Sequence, residues 1–228
     1  MNEGLAREEI CRIGRSLFER GFVHATAGNI SVRLDDGGYL ITPTDACLGF
    51  LSPDRLARLD ASGTQSSGDR ASKTITLHRR IYAASAGTAL PARCVIHTHS
   101  THCVALTLDE DVDAVEGDCK ELLPALTPYF VMKVGRVPLI DYTRPGHSGA
   151  ADRVEFAIRT YATKGSPIRA VMLSRLGPNV WHDTLSAAMA TLEELEETSR
   201  LWILSGRRAR ALSNPQIADI RLAFGAHW

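Results

Sequence analysis

Two histidines separated by a single residue are the most chemically informative feature of this sequence. His97 and His99 flank Thr98 and follow the short apolar run RCVI. In an extended chain, side chains at positions i and i+2 point to the same side, so the two imidazoles would be presented together. Neutral imidazole binds zinc and the other late transition metals well. The pair therefore indicates a metal site, and two satisfied histidines at a strand end are the alternative with the same pattern.

A zinc ion held by a protein needs at least one further ligand, and none lies beside the pair in the sequence. His102 follows shortly after and is expected on a helix next to the site rather than on the metal. The more distant histidines that folding could bring near are His24, His78, His147 and His182. His147 lies in the loop-like RPGHSG, whereas His182 precedes the last predicted helix and suits a surface or capping role equally well.

A second group of residues has the chemistry of an anion-binding site. Gly28 permits close approach of the backbone to a ligand, and Asn29 beside it offers a side-chain amide. Thr44 lies in the turn TPTD, and Ser72 and Lys73 stand at the expected start of a helix, where free N–H groups favour phosphate. Turn and capping residues have the same composition, so each segment is a weak signal by itself. The sequence contains no nucleotide-binding P-loop motif.

The elements that must position these residues follow from hydrophobic periodicity. A helix is predicted over about residues 5–20, followed by a hairpin whose strands, 30–34 and 39–41, are joined by DDGG. Further helices are predicted over 72–85, 100–108, 152–163 and 183–205, and further strands over RCVIH, YFVMKV, VPLIDY and RAVML. This alternation favours an α/β layered architecture, in one domain spanning residues 1–228. The solvated face of the last predicted helix is expected to carry Glu193, Glu194, Glu196 and Glu197.

The composition excludes several classes of protein. The 228 residues are 44% hydrophobic and 23% charged, which argues against a disordered chain. Lys+Arg and Asp+Glu are both 26, so no basic surplus suggests nucleic acid as a partner. No apolar run approaches the ~18 residues of a membrane span, and the N-terminal segment lacks the features of a secretory signal. The odd number of cysteines and the absence of a CxxC pair predict reduced thiols and a cytoplasmic location for Cys11, Cys47, Cys94, Cys103 and Cys119.

From about residue 5 to residue 205, the sequence resembles the class II aldolase/adducin family. The resemblance is carried by TAGNISVRL, YLITPTDACLG, SKTITLHRRIY, VIHTHSTHCVAL, LTPYFVMKVGRVPLIDYTRPG and LGPNVWHDTLSAAMATLEELEETSRLW. The stretches TPYFVMKVG and LEELEETSRLW are most similar to the family's branch of 3-oxo-tetronate 4-phosphate decarboxylases. The resemblance implies an α/β fold with a central, mainly antiparallel sheet flanked by helices. It also implies a homotetramer with active sites at the subunit interfaces.

The resemblance implies roles for individual residues as well. His97 and His99 fall on two of the family's zinc-binding histidines, and Tyr129 falls where aldolases carry a tyrosine acid that reaches a neighbouring subunit's site. The family's phosphate-binding segments are matched by Gly28, Asn29, Thr44, Ser72 and Lys73. In such enzymes a divalent metal, here expected to be zinc, polarises the substrate oxygens and stabilises an enediolate. The sequence is therefore expected to encode a metal-dependent C–C lyase, a decarboxylase or an aldolase, acting on a small sugar-acid or sugar phosphate.

Three positions depart from the family's pattern. Thr74 stands where the family has its catalytic glutamate, and a threonine cannot act as a general base near neutral pH. Leu176 occupies the place of the family's third zinc histidine and cannot bind a metal. Asp45 stands where many relatives have glycine or asparagine, and its charge is expected to weaken phosphate binding by repulsion.

Three interpretations of these departures are open at the level of the sequence. His147, His182 or Glu121 could complete the metal site in place of the missing ligand. A weaker metal site could support a decarboxylation, because loss of carbon dioxide generates the enolate without abstraction of a carbon-bound proton. The chain could instead be a catalytically inactive, aldolase- or adducin-like binding or oligomerisation domain. The retained histidine pair favours an enzyme, since a purely structural domain has little need of paired imidazoles.

Overall fold

A computed structural model of the chain describes residues 2–108 and 120–228, so that Cys119, one of the predicted thiols, lies outside the described residues. The helices are α1 (Glu3–Glu19), α2 (Ile75–Ser85), α3 (Thr101–Ala105), α4 (Ser148–Thr163), α5 (Leu185–Leu204) and α6 (Asn214–Phe224). The strands are β1 (Asn29–Arg33), β2 (Tyr39–Ile41), β3 (Ala57–Leu59), β4 (Gln65–Ser67), β5 (Cys94–His97), β6 (Leu139–Ile140), β7 (Ala170–Leu173) and β8 (Gly177–His182). Within the described ranges, no helix combines the length and the apolar character needed to cross a membrane.

All eight strands form one sheet in the order β4-β3-β2-β1-β5-β8-β7-β6. Every neighbouring pair is antiparallel except β6 and β7, which are parallel. The predicted hairpin is present as β1 and β2, with Arg33 opposite Tyr39. The strand order places β1 and β8 on either side of β5, the strand that ends at the histidine pair. The predicted fold class, a mainly antiparallel sheet flanked by helices, is confirmed.

Each face of the sheet is covered by its own pair of helices. Helices α1 and α5 pack on the face that carries Ile30, Val32 and Ile96. Helices α2 and α4 pack on the opposite face, against residues such as Val95 and Trp181. The alternation of side chains along β5 therefore sends Ile96 into the first core and His97 toward the side of α2 and α4.

One predicted strand is wrong. In place of a strand over YFVMKV, residues Phe130–Val134 form a single π-helical turn, in which the Gly135 N–H donates to the carbonyl of Phe130. The apolar, β-branched composition suits a strand, but Phe130, Val131 and Val134 are buried on one side of a turn packed against α5. The side-chain hydroxyl of Thr191 on α5 holds this turn through the carbonyl of Lys133, at 3.2 Å. Tertiary packing has thus overridden local propensity.

Candidate functional site

The carboxyl end of β5 holds the first of the paired histidines in a buried, polar row of side chains. His97 lies opposite Asn29 on β1 and opposite Asn179 on β8, so all three side chains point to the same face of the sheet. His97 is only 7% exposed, and its Nδ1 lies 2.9 Å from the carbonyl oxygen of Pro178. A carbonyl only accepts, so Nδ1 donates and the lone pair of the neutral ring lies on Nε2. The backbone of the neighbouring strand thereby selects the tautomer in which Nε2 can bind a metal.

His99 lies against His97 at a distance that suits a shared ligand. The ring centroids are 5.1 Å apart and the ring planes are inclined by 67°. Burial, with a contribution from His99, lowers the pKa of His97 to about 4. Burial, with a contribution from His24, also lowers the pKa of His99. Both rings are therefore neutral at physiological pH, which is the form that coordinates metals.

The fit of this pair to a metal can be tested on its geometry. Two imidazoles bound to one tetrahedral zinc ion would have ring centroids about 5 Å apart, given metal–nitrogen distances of about 2 Å. The separation of His97 and His99 matches this value. Among residues 2–108 and 120–228, however, no group of three or more His, Cys, Asp or Glu side chains is already arranged to hold a metal ion. The histidine pair thus fits two positions of a metal site.

The two departures from the family's pattern lie at the edge of the same region. Leu176 lies in the turn between β7 and β8 and packs against the core on the side of α2 and α4. The next residue, Gly177, has a positive φ of 131°, and a Cβ there would collide with the carbonyl oxygen of Thr98, between the two histidines. Thr74 lies immediately before α2, with its hydroxyl 2.8 Å from that of Ser72. An apolar residue and a hydroxyl therefore stand where the family resemblance places a ligand and a carboxylate base.

The predicted anion-binding residues come together next to the histidines. The amide of Ile30, the residue after Asn29, donates to the Thr42 hydroxyl at 3.2 Å, and the Thr42 amide donates back to the carbonyl of Ile30 at 3.0 Å. The Thr44 amide donates to Arg70, and the Ser72 amide donates to Thr42. This backbone ladder joins the segments of Gly28–Asn29, Thr44 and Ser72–Lys73 side by side. Asn29 in turn pairs with His97, so the ladder ends at the candidate metal site.

Asp45 adopts a conformation that explains why glycine or asparagine suits its position. Its φ is +57°, in the left-handed region that β-branched and bulky residues avoid. Aspartate tolerates this region better than most side chains. The side chain is exposed, directly after Thr44. The turn therefore keeps its shape in this chain but adds a negative charge beside the predicted anion site.

A buried polar network extends beneath the site toward α2, and the spacing of residues in the sequence does not indicate it. The Ser31 hydroxyl lies 2.7 Å from His78 Nδ1 and 2.7 Å from the Tyr82 hydroxyl. His78 is fully buried, and burial lowers its pKa to about 3, with His97 contributing. Within the described ranges, buried polar side-chain atoms without a hydrogen-bond partner are Asn29 Oδ1, His78 Nε2, Asn179 Nδ2 and Trp181 Nε1.

The residues considered as substitutes for the missing ligand lie elsewhere. His147 is exposed at the start of α4, where its Nδ1 accepts from the Gly149 amide at 3.1 Å. His182 pairs with Cys94, at the opposite end of β5 from His97, and contacts Asp183. Glu121 accepts from Arg136 at 2.6 Å and from Tyr161 at 3.0 Å. The histidine that does approach the pair is His24, whose ring centroid lies 6.3 Å from that of His99.

Tyr129, the predicted acid, lies apart from the pair within one chain. It directly precedes the π-helical turn and is 62% exposed. In the described part of the chain no hydrogen bond or ring contact joins it to His97 or His99.

The acidic stretch of α5 is more than the solvated face that the sequence predicts. Glu196 accepts from the backbone amides of His102 at 2.9 Å and Cys103 at 3.0 Å, and it lies 2.8 Å from His102 Nδ1. One carboxylate thus caps the start of α3, which follows the histidine pair directly, and holds His102 away from the site. Glu197 matches the prediction better, since it is half exposed and pairs with Arg200 on the same helix.

Comparison with known proteins places this fold and site in a family. The Class II Aldolase and Adducin N-terminal domain family matches residues 8–203, and the chain belongs to this family. The sequence is 49% identical to a 3-oxo-tetronate 4-phosphate decarboxylase of Cupriavidus necator, over 99% of both chains. An Escherichia coli protein of the same name is 39% identical over 94% of both chains.

Solved structures agree with this assignment. The crystal structure of YgbL from Escherichia coli, described as a putative aldolase/epimerase/decarboxylase, superimposes with a TM-score of 0.81 at 37% identity. The superposition covers 96% of this chain and 99% of the YgbL chain. An L-fuculose 1-phosphate aldolase shares the fold, with a TM-score of 0.76 at 20% identity over 96% of this chain and 95% of its own. The predictions of family, fold class and a metal-dependent C–C lyase are confirmed by these similarities.

Proposed function

We propose that this chain decarboxylates a phosphorylated 3-oxo sugar acid of the 3-oxo-tetronate 4-phosphate type. The observation that carries the proposal is a neutral histidine pair next to the backbone ladder that joins the predicted anion-binding segments, with Thr74 where the family has a carboxylate base. A 3-oxo acid loses carbon dioxide when the bond to its carboxyl carbon breaks and the electron pair moves toward the neighbouring carbonyl. No base is required for that step, whereas an aldolase must remove a hydroxyl proton. The names of the relatives that are 49% and 39% identical support the same reaction.

The residues of the site divide the work between two ends of the substrate. His97 and His99 would hold a divalent metal, for which we propose zinc, and the metal would supply a Lewis acid at the carbonyl and hydroxyl oxygens. Thr44, Ser72 and Lys73, together with the backbone around Gly28, would hold the phosphate. The start of α2 favours an anion at this point because its first N–H groups point outward. Asn29 lies between the two ends, and its unpartnered Oδ1 would accept from a substrate hydroxyl.

Once carbon dioxide has left, the remaining carbon must gain a proton. We propose that Tyr129 of a neighbouring subunit provides it, in a homotetramer. The exposure of Tyr129, and of Leu222 and Phe224 on α6, supports an assembly in which these side chains are covered. The product would be a three-carbon ketose phosphate.

The free state of the described cysteines, Cys11, Cys47, Cys94 and Cys103, supports a cytoplasmic location.

The test is direct turnover of 3-oxo-tetronate 4-phosphate by the metal-loaded protein. We expect release of carbon dioxide and ketose phosphate in equal amounts, and no cleavage of L-fuculose 1-phosphate. The second candidate function is a catalytically inactive binding or oligomerisation domain, and Thr74 and Leu176 are the observations that favour it. If turnover appears only after the double substitution Thr74→Glu and Leu176→His, the decarboxylase proposal is contradicted and the inactive domain is supported.

A further inference from the structure

We propose that His24 is the third protein ligand of the metal site, together with His97 and His99. Two imidazoles alone make a weak site, whereas three protein ligands with one open position are the usual arrangement of a catalytic zinc site. The inference rests on the proposed function only in that both place a metal at the histidine pair. In this arrangement the loop before β1 supplies the third metal ligand, which the family has at the position of Leu176.

The ring of His24 lies next to that of His99, on which the proposed site is centred. His24 faces His99 with a centroid separation of 6.3 Å and an inclination of 74°, close to the 67° between His97 and His99. For shared coordination the centroids of His24 and His99 must approach from 6.3 Å to about 5 Å, and the ring of His24 must also turn toward His97. His24 is exposed, and in the described part of the chain no hydrogen bond restrains its ring. A rotation of the side chain can therefore close the gap.

The backbone of His24, by contrast, is firmly held against the end of β5. The amide of Ala27 donates to the carbonyl of His24 at 2.9 Å, which closes a tight turn, and the preceding Val23 is buried. Gly28 has a φ of +83°, and a Cβ there would lie 2.8 Å from Val23 Cγ1 and 2.9 Å from the carbonyl oxygen of His97. Only a glycine lets the loop pack this closely. The same contact that requires Gly28 therefore delivers His24 to the histidine pair.

No other described side chain competes for this position. His102 is held by Glu196, and His147, His182 and Glu121 lie elsewhere with partners of their own. His78 lies on the same face as His97, but its ring is fully buried and its Nδ1 is hydrogen-bonded to Ser31. Three nitrogen donors would favour zinc or cobalt over magnesium or calcium, which prefer oxygen ligands. The site would keep one position open for the substrate.

Cobalt(II) titration of the metal-free full-length protein tests the assignment without relying on activity. The visible bands of cobalt report coordination number, and their growth gives the dissociation constant. We expect one equivalent to bind to the wild type with the intense bands of a four-coordinate site. His24→Ala should weaken binding by more than ~100-fold and change the bands, whereas His147→Ala should match the wild type. Adding Leu176→His to His24→Ala should restore binding, because it returns an imidazole to the position of the family's third histidine.

The outcomes separate this inference from the proposed function. Equal cobalt affinity and spectra in the wild type and His24→Ala would overturn the assignment of His24 and leave a decarboxylase with a different ligand set. Failure of the wild type to bind cobalt would also overturn it. If His24→Ala weakens binding as expected but the loaded wild type does not decarboxylate the keto acid, the ligand assignment stands and the proposed function fails.

Discussion

The two faces of the central sheet have very different chemistry although the same strands supply both. On the face covered by α1 and α5, β1 and β5 contribute Ile30, Val32, Cys94 and Ile96, all fully buried and apolar. On the face covered by α2 and α4, the buried alternate residues of the same two strands are Asn29, Ser31, Val95 and His97. The first face has the composition of a stabilising core. The second combines a core at its outer parts with a polar row along its centre.

The unpartnered polar atoms sharpen this contrast. All four atoms of this kind among the described residues belong to side chains on the second face or to α2 packed upon it. A buried polar group without a partner is unfavourable by about 1–3 kcal/mol, so such groups persist where another function requires them. Strand alternation therefore places the stabilising core on one face of the sheet and the residues proposed for chemistry on the other. Adjacent residues on one strand should therefore give opposite phenotypes when they are substituted.

The largest expected effect distinguishes two consecutive residues of β5 whose side chains point to opposite faces of the sheet. His97→Ala should remove bound metal and lower turnover about a thousandfold or more, because a ligand and its Lewis acid are lost. Ile96→Ala should leave metal content and turnover per folded molecule unchanged but lower the free energy of unfolding by about 2–5 kcal/mol. Metal analysis, steady-state kinetics and urea denaturation of both variants check this. Loss of turnover without loss of stability in Ile96→Ala would contradict the assignment of stability to one face of the sheet and chemistry to the other.

A second prediction concerns the pH dependence of stability, which should come from the polar face. The pKa of His78 is lowered to about 3 in the folded protein, against an ordinary value of 6.5 in the unfolded chain. The unfolded state therefore binds a proton that the folded state does not, so stability is full above about pH 6.5 and falls toward pH 3. This group alone should contribute a slope of ~1.4 kcal/mol per pH unit in that window.

Denaturation of metal-free protein at several pH values measures this slope. His78→Gln should reduce the slope by ~1.4 kcal/mol per pH unit, the contribution of one proton. His147→Gln, at an exposed residue, should leave the slope unchanged. Identical slopes in the wild type and His78→Gln would show that the buried imidazole does not control acid stability.

A third prediction concerns the two glutamates of α5 that differ in their partners. Glu196→Ala removes the acceptor of two backbone amides at the start of α3 and should lower the free energy of unfolding by about 1–3 kcal/mol. Glu197→Ala breaks an exposed pair with Arg200 and should change it by less than about 0.5 kcal/mol. Thermal or urea denaturation of the two variants decides. Equal effects would mean that the carboxylate of Glu196 does not hold α3.

The smallest expected effect concerns the charge of Asp45 beside the proposed phosphate site. Asp45→Asn keeps a side chain that accepts a φ of +57° and removes the repulsion of the substrate phosphate. The KM for the phosphorylated substrate should fall about threefold with kcat unchanged, and the difference should shrink at high salt. An unchanged KM at low salt would show that Asp45 does not contribute to phosphate binding.

Local patterns in the sequence were sufficient for the elements that carry most of the site. The β1–β2 hairpin, β5 and α5 are predicted because alternation, turn residues and helical periodicity lie within short windows. The His97 and His99 pair is visible for the same reason. The strand β8 was not predicted because GPNVWH lacks the alternation of a half-buried strand. The segment Phe130–Val134 was predicted as a strand because its composition does not indicate the π-helical turn that it forms.

The position of His24 depends on contacts distant in sequence. The antiparallel pairing of β1 with β5 sets Asn29 opposite His97, and the close contact at Gly28 then brings the preceding loop to the pair. Neither contact has a signature near His24 itself. The buried network around His78 is hidden for the same reason, since Ser31, His78 and Tyr82 come from two separate elements. The sequence thus reveals the candidate ligands that are neighbours along the chain, but not a candidate that only the assembled sheet brings near them.

The most direct test of the central claim is the metal content per subunit, measured by plasma mass spectrometry on untagged protein purified without chelator. We expect close to one equivalent of a transition metal in the wild type and its loss in His99→Ala. Metal well below stoichiometric in the wild type, and not restored by zinc, nickel, cobalt or manganese, would contradict it. The same contradiction would follow if His99→Ala kept both its metal and its lyase activity.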